Sequence, residues 1–408
     1  TTGAVSLDEE VRRTVAKRSS ARAWVLPVPD DAAPETPATE LVRLQRAFGM
    51  GSEDIDVVLK PLAETGKPAI GAMGDDTSPA ALLDLLPRRI EDHFALRFAQ
   101  ETSPPVDPIR DAWVFDPSVS LGDRSGLWEG GGRGTYVLRD RIFGLGRSQA
   151  IRRESRSHQI SLTFPVSEGP HGLEARLEAL ESEALAAVDR FPILILDDSG
   201  VDGARAAVPM VRAISRIHQA LVRAGHRHRV GLLAHAGSWD IHHCAVLVSL
   251  GADAVCPWLG CQTVGPDREE KYLAGLRSGF VEAMSMTGVT PSSAYCGAGL
   301  IEAVGLERGF LDREFPGVPG HLGGIGPETL DAEWLGFHRT AFAGDPTLPD
   351  FGEFRHSKEG RPHANNADIV RNLQGASGYA RKIHAATPGS WEAYVAYSRL
   401  VKERAPIT

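Results

Sequence analysis

Six polar side chains directly follow predicted buried strands or begin the helices after them: Asp197, Asp198, His235, His242, His243 and Gln262. A carboxylate beside a histidine is a pairing used in general acid–base catalysis, and both residue types also bind metals. Successive helical residues diverge by about 100°, so a single member of the pair His242–His243 can face the strand ends. No third ligand stands four residues later, so the pair favours a polar helix start and we expect no metal. For Asp197 and Asp198, a capping or turn role competes with acid–base chemistry.

The elements that must position these residues alternate between strand and helix. Apolar runs at 193–196, 230–233 and 254–256 are too short for helices and too continuous for half-exposed strands. Helical spacing between the first two runs is set by Val208, Val211, Ile214, Ile217 and Leu221. Gly225 then stands where a C-terminal glycine cap belongs, and Ser238 with Asp240 can begin the next helix. The pattern predicts parallel strands joined by helices, with the polar residues at their carboxyl ends.

Flanking segments extend this alternation. A strand at 160–164 and a helix at 172–190 precede the run. A helix at 271–286, a short strand at 288–295 and a helix at 298–304 follow it. Another helix is predicted at 89–100, burying Phe94, Leu96 and Phe98.

The predicted fold class is α/β, with a partial or complete TIM-like β/α barrel and an N-terminal, mainly helical subdomain. The predicted divisions are an N-terminal helix and proline-rich arm (1–40), the helical subdomain (41–158), the barrel-like core (159–330) and a C-terminal connector with helices (331–408).

Composition limits the partners. The 408 residues carry a formal net charge of -9, which disfavours nucleic acid and anionic membrane surfaces. No apolar run approaches the roughly 20 residues that a membrane span needs. We therefore expect a cytoplasmic protein that binds neither nucleic acid nor membrane.

Two loops carry charge among glycines and prolines. Residues 61–79 contain Glu64, Lys67, Asp75 and Asp76, and the stretch SPPVDPIRD contains Asp107 and Arg110. Each loop can bind a ligand or a partner protein. Alternatively, the carboxylates of the first loop cap the next helix, and Asp107 and Arg110 form a structural ion pair.

The chain has four cysteines, Cys244, Cys256, Cys261 and Cys296. Three of them could be ligands of an iron–sulfur cluster, because Cys256 and Cys261 form a Cys-x4-Cys pair and Cys296 follows. Their apolar context favours packed, reduced thiols instead.

Five ordered blocks together with the tail cover nearly the whole chain and resemble the central domain of the glutamate synthase large subunit. They begin with LQRAFGMGSEDIDVVLKPLAETGKPAIGAMGDDTSPAALL and FAQETSPPVDPIRD. They continue with VRAGHRHRVGLLAHAG, IHHCAVLVSLGADAVCPWL and SAYCGAGLIEAVGL. The tail WEAYVAYSRLVKERAPIT resembles the connector that leads into the flavin domain of those enzymes.

The resemblance implies one module of a larger oxidoreductase. In that family a glutaminase domain releases ammonia, the central domain links and helps enclose the ammonia path, and a flavin domain with FMN and an iron–sulfur cluster reduces 2-iminoglutarate. We expect this chain to correspond to the central module alone, without FMN or cluster, and with glutaminase and flavin-domain proteins as its partners. Met286 and Cys296 stand where the family patterns SKMGIS and SYRGAQ carry basic residues, so a role of those groups in anion binding or flavin-domain contact is lost or altered.

Two hypotheses follow from the resemblance and the residues together. In the first, the chain is a non-catalytic subunit or scaffold in glutamate synthase-type amino-acid metabolism. In the second, it is a repurposed barrel enzyme that acts on an amino acid or 2-oxo acid through its own strand-end pocket. No complete catalytic set is visible in the sequence, and a small-molecule substrate and a homo-oligomer both stay open at this point.

Overall fold

The protein is described by a computed structural model. It describes residues 23–24, 36–68, 86–97, 110, 113–127, 133–154, 156–344, 347–355, 357, 360–361, 363, 366–378 and 389–402.

The strands of the described chain are numbered in order along the sequence. They are β1 (Ala23–Trp24), β2 (Phe94–Leu96), β3 (Val119–Asp123), β4 (Gly134–Leu138), β5 (Ser157–Ser161), β6 (Thr163–Pro165), β7 (Ile193–Asp197), β8 (Arg205–Ala207), β9 (Gly231–Ala236), β10 (Ala254–Pro257), β11 (Ile301–Leu306) and β12 (Gly320–Ile325).

The α-helices are numbered in the same way. They are α1 (Ala38–Ala47), α2 (Lys60–Thr65), α3 (Leu145–Arg153), α4 (Gly169–Ala187), α5 (Met210–Arg223), α6 (Ile241–Ser249), α7 (Trp258–Val264), α8 (Pro266–Met286), α9 (Ser292–Tyr295), α10 (Arg308–Glu314), α11 (Pro327–Phe342), α12 (Ala367–Ser377) and α13 (Trp391–Lys402). A π-helical segment, Asp54–Leu59, precedes α2.

A four-stranded parallel sheet forms the centre, in the order β10-β9-β7-β5. The strands β7 and β9 are buried along their whole length, as their continuous apolar runs predict. Each fully buried Ile or Leu side chain contributes about 1.5–3 kcal/mol to folding, so these strands supply much of the stability. One connected core extends from this sheet to Leu44, Leu121 and Trp334.

The helix α5 shows how the sequence builds the layer over the sheet. Its apolar residues at helical spacing are buried, and the helix ends before Gly225, whose φ of 72° lies in the left-handed region that favours glycine. Arg212 in this helix is also fully buried and donates to Glu314 of α10 at 3.2 Å and to Asp331 of α11 at 2.7 Å. An ion network therefore joins three helices beneath the surface.

The α/β class is confirmed, but the sheet is open in the described part of the chain. β6 leaves it to form an antiparallel pair with β8. β11 pairs with β12 on one side and with β2 on the other, so both its edges are occupied and it does not extend the central sheet from β10. A third sheet has the order β1-β4-β3. Thus the predicted TIM-like barrel is not observed as a closed sheet, and the segment 41–158 contributes strands as well as helices.

Three local predictions were wrong. The predicted helix at 298–304 overlaps the strand β11, and the predicted strand at 288–295 contains the short helix α9. The predicted helix at 89–100 is a 3-10 turn, Ile90–His93, followed by β2. Phe94 and Leu96 are both buried, and their spacing of two residues fits one face of a strand. Short apolar runs fit a helix or a strand equally well, and pairing between β2 and β11 decides here. Phe98 lies outside the described residues.

Candidate functional site

The carboxyl ends of β7 and β9 bring Asp197 and His235 together, opposite each other in register. The Asp197 carboxylate accepts hydrogen bonds from Arg152 Nη1 at 2.8 Å, Gln159 Nε2 at 2.7 Å and the Ser199 N–H at 2.9 Å. Burial opposes ionisation of Asp197, but His235, Arg152 and Ser199 outweigh it and hold its pKa below the usual range. The carboxylate is therefore an ionised group that is bonded within the chain.

His235 is held by packing and by one hydrogen bond. Its Nδ1 lies 3.0 Å from the hydroxyl of the buried residue Ser148, and its ring stacks on Trp258 at an interplanar angle of 15°. Burial and the nearby Arg152 lower its pKa to about 3. His235 is consequently a neutral imidazole at physiological pH.

Asp198 faces the other side of the same strand end. Its carboxyl group accepts from the Gly237 N–H at 2.9 Å and from Trp258 Nε1 at 2.6 Å. Burial raises the pKa of Asp198 to about 7, although both donors act in the opposite direction. The residue ties the ends of β7, β9 and β10 together.

His242 and His243 begin α6 but point to different partners. The Asp240 carboxylate caps the helix by accepting from the His243 N–H at 2.6 Å, as the sequence predicts. His243 Nδ1 lies 3.2 Å from Asp240 Oδ1, and its ring meets Trp239 edge-on at 4.8 Å. Burial opposes protonation of His243, but Asp240 and Asp92 outweigh it and raise its pKa. His242 instead donates from Nε2 to the Glu91 carbonyl at 2.9 Å.

Gln262 lies on α7, and its side-chain oxygen accepts from the Thr36 hydroxyl at 2.8 Å. Its observed partner is therefore the segment before α1. Among the six predicted residues, the strand ends bring together Asp197, Asp198 and His235, whereas His242 and Gln262 bond to N-terminal segments.

Arg89 is the central residue that sequence reasoning missed. Its Nη1 donates to the carbonyls of Phe48 at 2.9 Å and Gly237 at 3.1 Å, and its Nη2 donates to Glu91 at 2.7 Å. The guanidinium carbon also lies 4.4 Å from the centroid of the Trp239 ring. The charged stretch PRRIEDH was the available signal, because charged groups inside an otherwise apolar fold must be paired.

Asp54 is a second residue that the sequence did not indicate. It accepts from the Gly51 N–H at 2.7 Å and from Trp239 Nε1 at 3.1 Å. Burial raises its pKa to about 7. Asp54 and Asp198 are thus two buried carboxyl groups, each of which accepts from an indole and a backbone N–H.

The predicted ligand or partner loops are described only in part. Glu64 and Lys67 are exposed or partly exposed, and Lys271 Nζ donates to the Glu64 carbonyl at 3.2 Å. Arg110 is exposed, while Asp75, Asp76 and Asp107 lie outside the described residues. An open cleft of about 480 Å³ is lined by Glu64, Ala63, Asp267, Arg268, Glu270, Lys271 and Ala274. These residues stay candidates for partner or ligand contact.

The described residues contain no group of three or more His, Cys, Asp or Glu side chains that could hold a metal ion. Cys244, Cys256 and Cys261 are buried free thiols, and burial raises the pKa of each. No helix in the described part of the chain has the length and apolarity that a membrane crossing requires.

Comparison with known proteins assigns the family. The family model for the glutamate synthase central domain matches residues 43–307, well over half of the chain. The chain belongs to the glutamate synthase central domain family. The match includes every strand-end residue described above.

Relatives of the family member come from bacteria and plants. The chain is 31% identical over 389 residues to the glutamate synthase [NADPH] large chain of Azospirillum brasilense, covering 90% of this chain and 25% of the relative. It is 30% identical to the corresponding large chain of Bacillus subtilis (strain 168), with 92% and 26% covered. It is 29% identical to the chloroplastic ferredoxin-dependent glutamate synthase of Oryza sativa subsp. japonica, also with 92% and 26% covered. This central-domain chain therefore spans about a quarter of the length of these relatives.

Among solved structures, a mutant flavocytochrome b2 with benzoylformate matches 29% of this chain and 31% of its own, with 17% identity and a TM-score of 0.26. That overlap carries no argument on the fold or the function of the central domain.

Proposed function

We propose that this chain is the central module of a glutamate synthase-type assembly, in which it holds a glutaminase and a flavin-domain protein in one complex. Its family membership and its coverage of about a quarter of the relatives support a module that acts with others. The alternative of a repurposed barrel enzyme is not favoured by these relatives.

The internal use of the strand-end side chains carries the proposal. Asp197, Asp198 and His235 are each at most 7% exposed and bond to groups of the same chain. An acid–base site must present at least one such group to a substrate. The clefts found among the described residues lie elsewhere, so the strand ends serve the fold rather than turnover.

A docking surface for the flavin-domain protein is provided by α13, the helix in the segment that resembles the family's connector. Trp391 is 74% exposed and stacks on Tyr394 with the ring centroids 5.1 Å apart. Val395 and Val401 are exposed in the same helix, and no described residue of α13 is buried. Exposed aromatic anchors of this kind are typical of protein interfaces.

This chain itself carries neither FMN nor an iron–sulfur cluster in the proposed assembly. The supporting observation concerns the cysteines, whose thiols are packed among apolar side chains with raised pKa values that disfavour the thiolate needed for cluster ligation. Redox chemistry then belongs to the partner.

Reconstitution tests the proposal. The glutaminase and flavin-domain proteins encoded by the same genome are purified and mixed with or without this chain, and glutamate formation is measured with glutamine or with ammonium as the nitrogen source. We expect the chain to raise the glutamine-dependent rate and to leave the ammonium-dependent rate unchanged, because it joins the two modules without joining in the reduction.

A paired variant locates the flavin-domain contact. Trp391→Ser combined with Tyr394→Ser is expected to weaken binding of the flavin-domain protein by at least about tenfold, since central aromatic anchors are worth about 2 kcal/mol or more. Val137→Ser is the matched control, because Val137 is 62% exposed but lies on β4. Equal rates with and without the chain, or amino-acid turnover by the chain alone, would contradict the proposal.

A further inference from the structure

A second buried ion cluster lies at the opposite, amino-terminal end of the parallel sheet. Asp253 immediately precedes β10 and is completely buried. Arg124 Nη1 donates to its Oδ1 at 3.1 Å, and Arg227 Nη2 donates to its Oδ2 at 2.8 Å. Arg141 Nη1 donates to the backbone carbonyl of Asp253 at 2.7 Å. Three guanidinium groups from different segments therefore meet around one carboxylate, which we name the Asp253 cluster.

The charges in this cluster do not balance. Within the described residues, Arg124 and Arg227 form their ion pairs with Asp253, and Arg141 forms none. The Leu232 N–H also donates to Asp253 Oδ2 at 2.8 Å, so both carboxylate oxygens are already engaged. Three positive charges thus share one negative charge. Burial of such an excess is unfavourable without a counter-charge.

The two inner groups of the cluster add donors rather than negative charge. Arg141 is 2% exposed, and its Nε has no acceptor among the described residues. His218 Nδ1 accepts from Arg227 Nε at 3.0 Å, which places the imidazole proton on Nε2. Burial and Arg227 lower the pKa of His218 to about 4, so the ring is neutral at physiological pH.

The outer side of the cluster is open to solvent. The side chain of Arg124 is 28% exposed, that of Arg227 is 13% exposed, and Arg141 lies beneath them. Cys296 is half-buried here, with its Sγ 3.7 Å from Asp253 Oδ1. A small ion can therefore approach through Arg124 and reach the excess positive charge.

We propose that the Asp253 cluster is a binding site for a small oxyanion of the phosphate or sulfate type. A guanidinium group offers paired, charge-assisted N–H donors that match such oxygens, and Arg124 and Arg141 hold donors beyond those given to Asp253. The site is independent of the strand ends and of the proposed role as a central module.

Calorimetric titration with inorganic phosphate tests the site, with thermal unfolding as the second measurement. Chloride at the same ionic strength is the reference, because it screens charge without offering several acceptor oxygens. We expect saturable phosphate binding, and a Tm that rises with phosphate but not with chloride. Arg124→Gln should weaken phosphate binding by about tenfold, the loss of one charge-assisted contact. Arg223→Gln is the control, since Arg223 is 61% exposed and pairs with Glu181.

Identical effects of phosphate and chloride would overturn the proposal, as would phosphate binding by Arg124→Gln that equals that of the unmodified protein. A local readout covers the case in which the variant does not fold. Cys296 is the half-buried thiol of the cluster, while Cys244, Cys256 and Cys261 are buried. Phosphate is expected to slow alkylation of Cys296 by neutral iodoacetamide in the unmodified protein. An unchanged rate at saturating phosphate would also reject the site.

Discussion

Asp197 and His235 face each other in register across β7 and β9, and one guanidinium group, that of Arg152, lowers the pKa of both. It favours the aspartate anion at 2.8 Å and disfavours the imidazolium cation. The pair therefore holds one ionised and one neutral side chain inside the protein, and its behaviour toward acid follows from that state.

His235→Gln is expected to reduce the loss of stability in acid. The unfolded chain takes up a proton at His235 near its ordinary pKa of 6.5, whereas the folded chain takes one up only near pH 3. The neutral histidine therefore contributes stability above about pH 6.5, and that contribution falls as the pH decreases through this window, by at most about 1.4 kcal/mol per pH unit. Denaturant unfolding between pH 7 and pH 4 measures the slope. His171→Gln, at an exposed position, should keep the original slope, and equal slopes for both variants would refute the expectation.

Asp198→Asn is expected to change the pH dependence in the opposite sense. The folded pKa of about 7 lies above the ordinary 3.8, so the folded chain holds a proton that the unfolded chain has lost. Stability associated with Asp198 is thus complete below about pH 3.8 and declines as the pH rises toward 7. The asparagine variant should lose this decline, measured by urea unfolding at pH 5 and pH 8. Asp312→Asn, whose side chain is 60% exposed, serves as the control, and a decline that persists in Asp198→Asn would argue against a protonated Asp198.

Arg212→Met is expected to destabilise the protein by about 3–5 kcal/mol, because it leaves the fully buried Glu314 with a broken ion network. Arg223→Gln, in the same helix but 61% exposed, should change the free energy of unfolding by at most about 1 kcal/mol. Chemical denaturation of the two variants provides the comparison. Similar values for both would show that burial of the network does not matter.

Gly237→Ala is expected to cost about 1–3 kcal/mol through overpacking. A Cβ at Gly237 would lie 2.4 Å from the ring of Phe48, which is buried between Trp258 and Trp334. Gly323→Ala is the matched control, because a Cβ there meets nothing within 4 Å. The difference in Tm between the two variants is the measurement, and an unchanged Tm for Gly237→Ala would mean that Phe48 moves without loss.

Purified protein is expected to be colourless, because the proposed function places the flavin and the cluster in a partner. Absorption between 350 and 500 nm, followed by extraction and stoichiometric analysis of any flavin, gives the measurement. These wavelengths are approximate and set by about the usual range of oxidised flavins and clusters. A yellow preparation with flavin near one equivalent would contradict the assignment of the cofactor to the partner.

The sequence by itself determined the parallel strands β7, β9 and β10 and the helices between them, because continuous apolar runs and helical spacing are local properties. It also placed Asp197, Asp198 and His235 at one end, since parallel strands share a carboxyl end. The family resemblance was likewise carried by ordered blocks of residues and is confirmed over 43–307.

Only the tertiary structure decided whether the sheet closes and what the strand-end groups do. β11 pairs with β2, about 200 residues earlier in the chain, and such long-range pairing leaves no local pattern. Arg152, Gly237 and Trp258 satisfy the predicted site residues, and Arg89 joins Phe48 to Gly237 from another segment. A carboxylate looks the same in sequence whether it will meet a substrate or an arginine of its own chain, because burial and hydrogen-bond partners are set only when distant segments pack together.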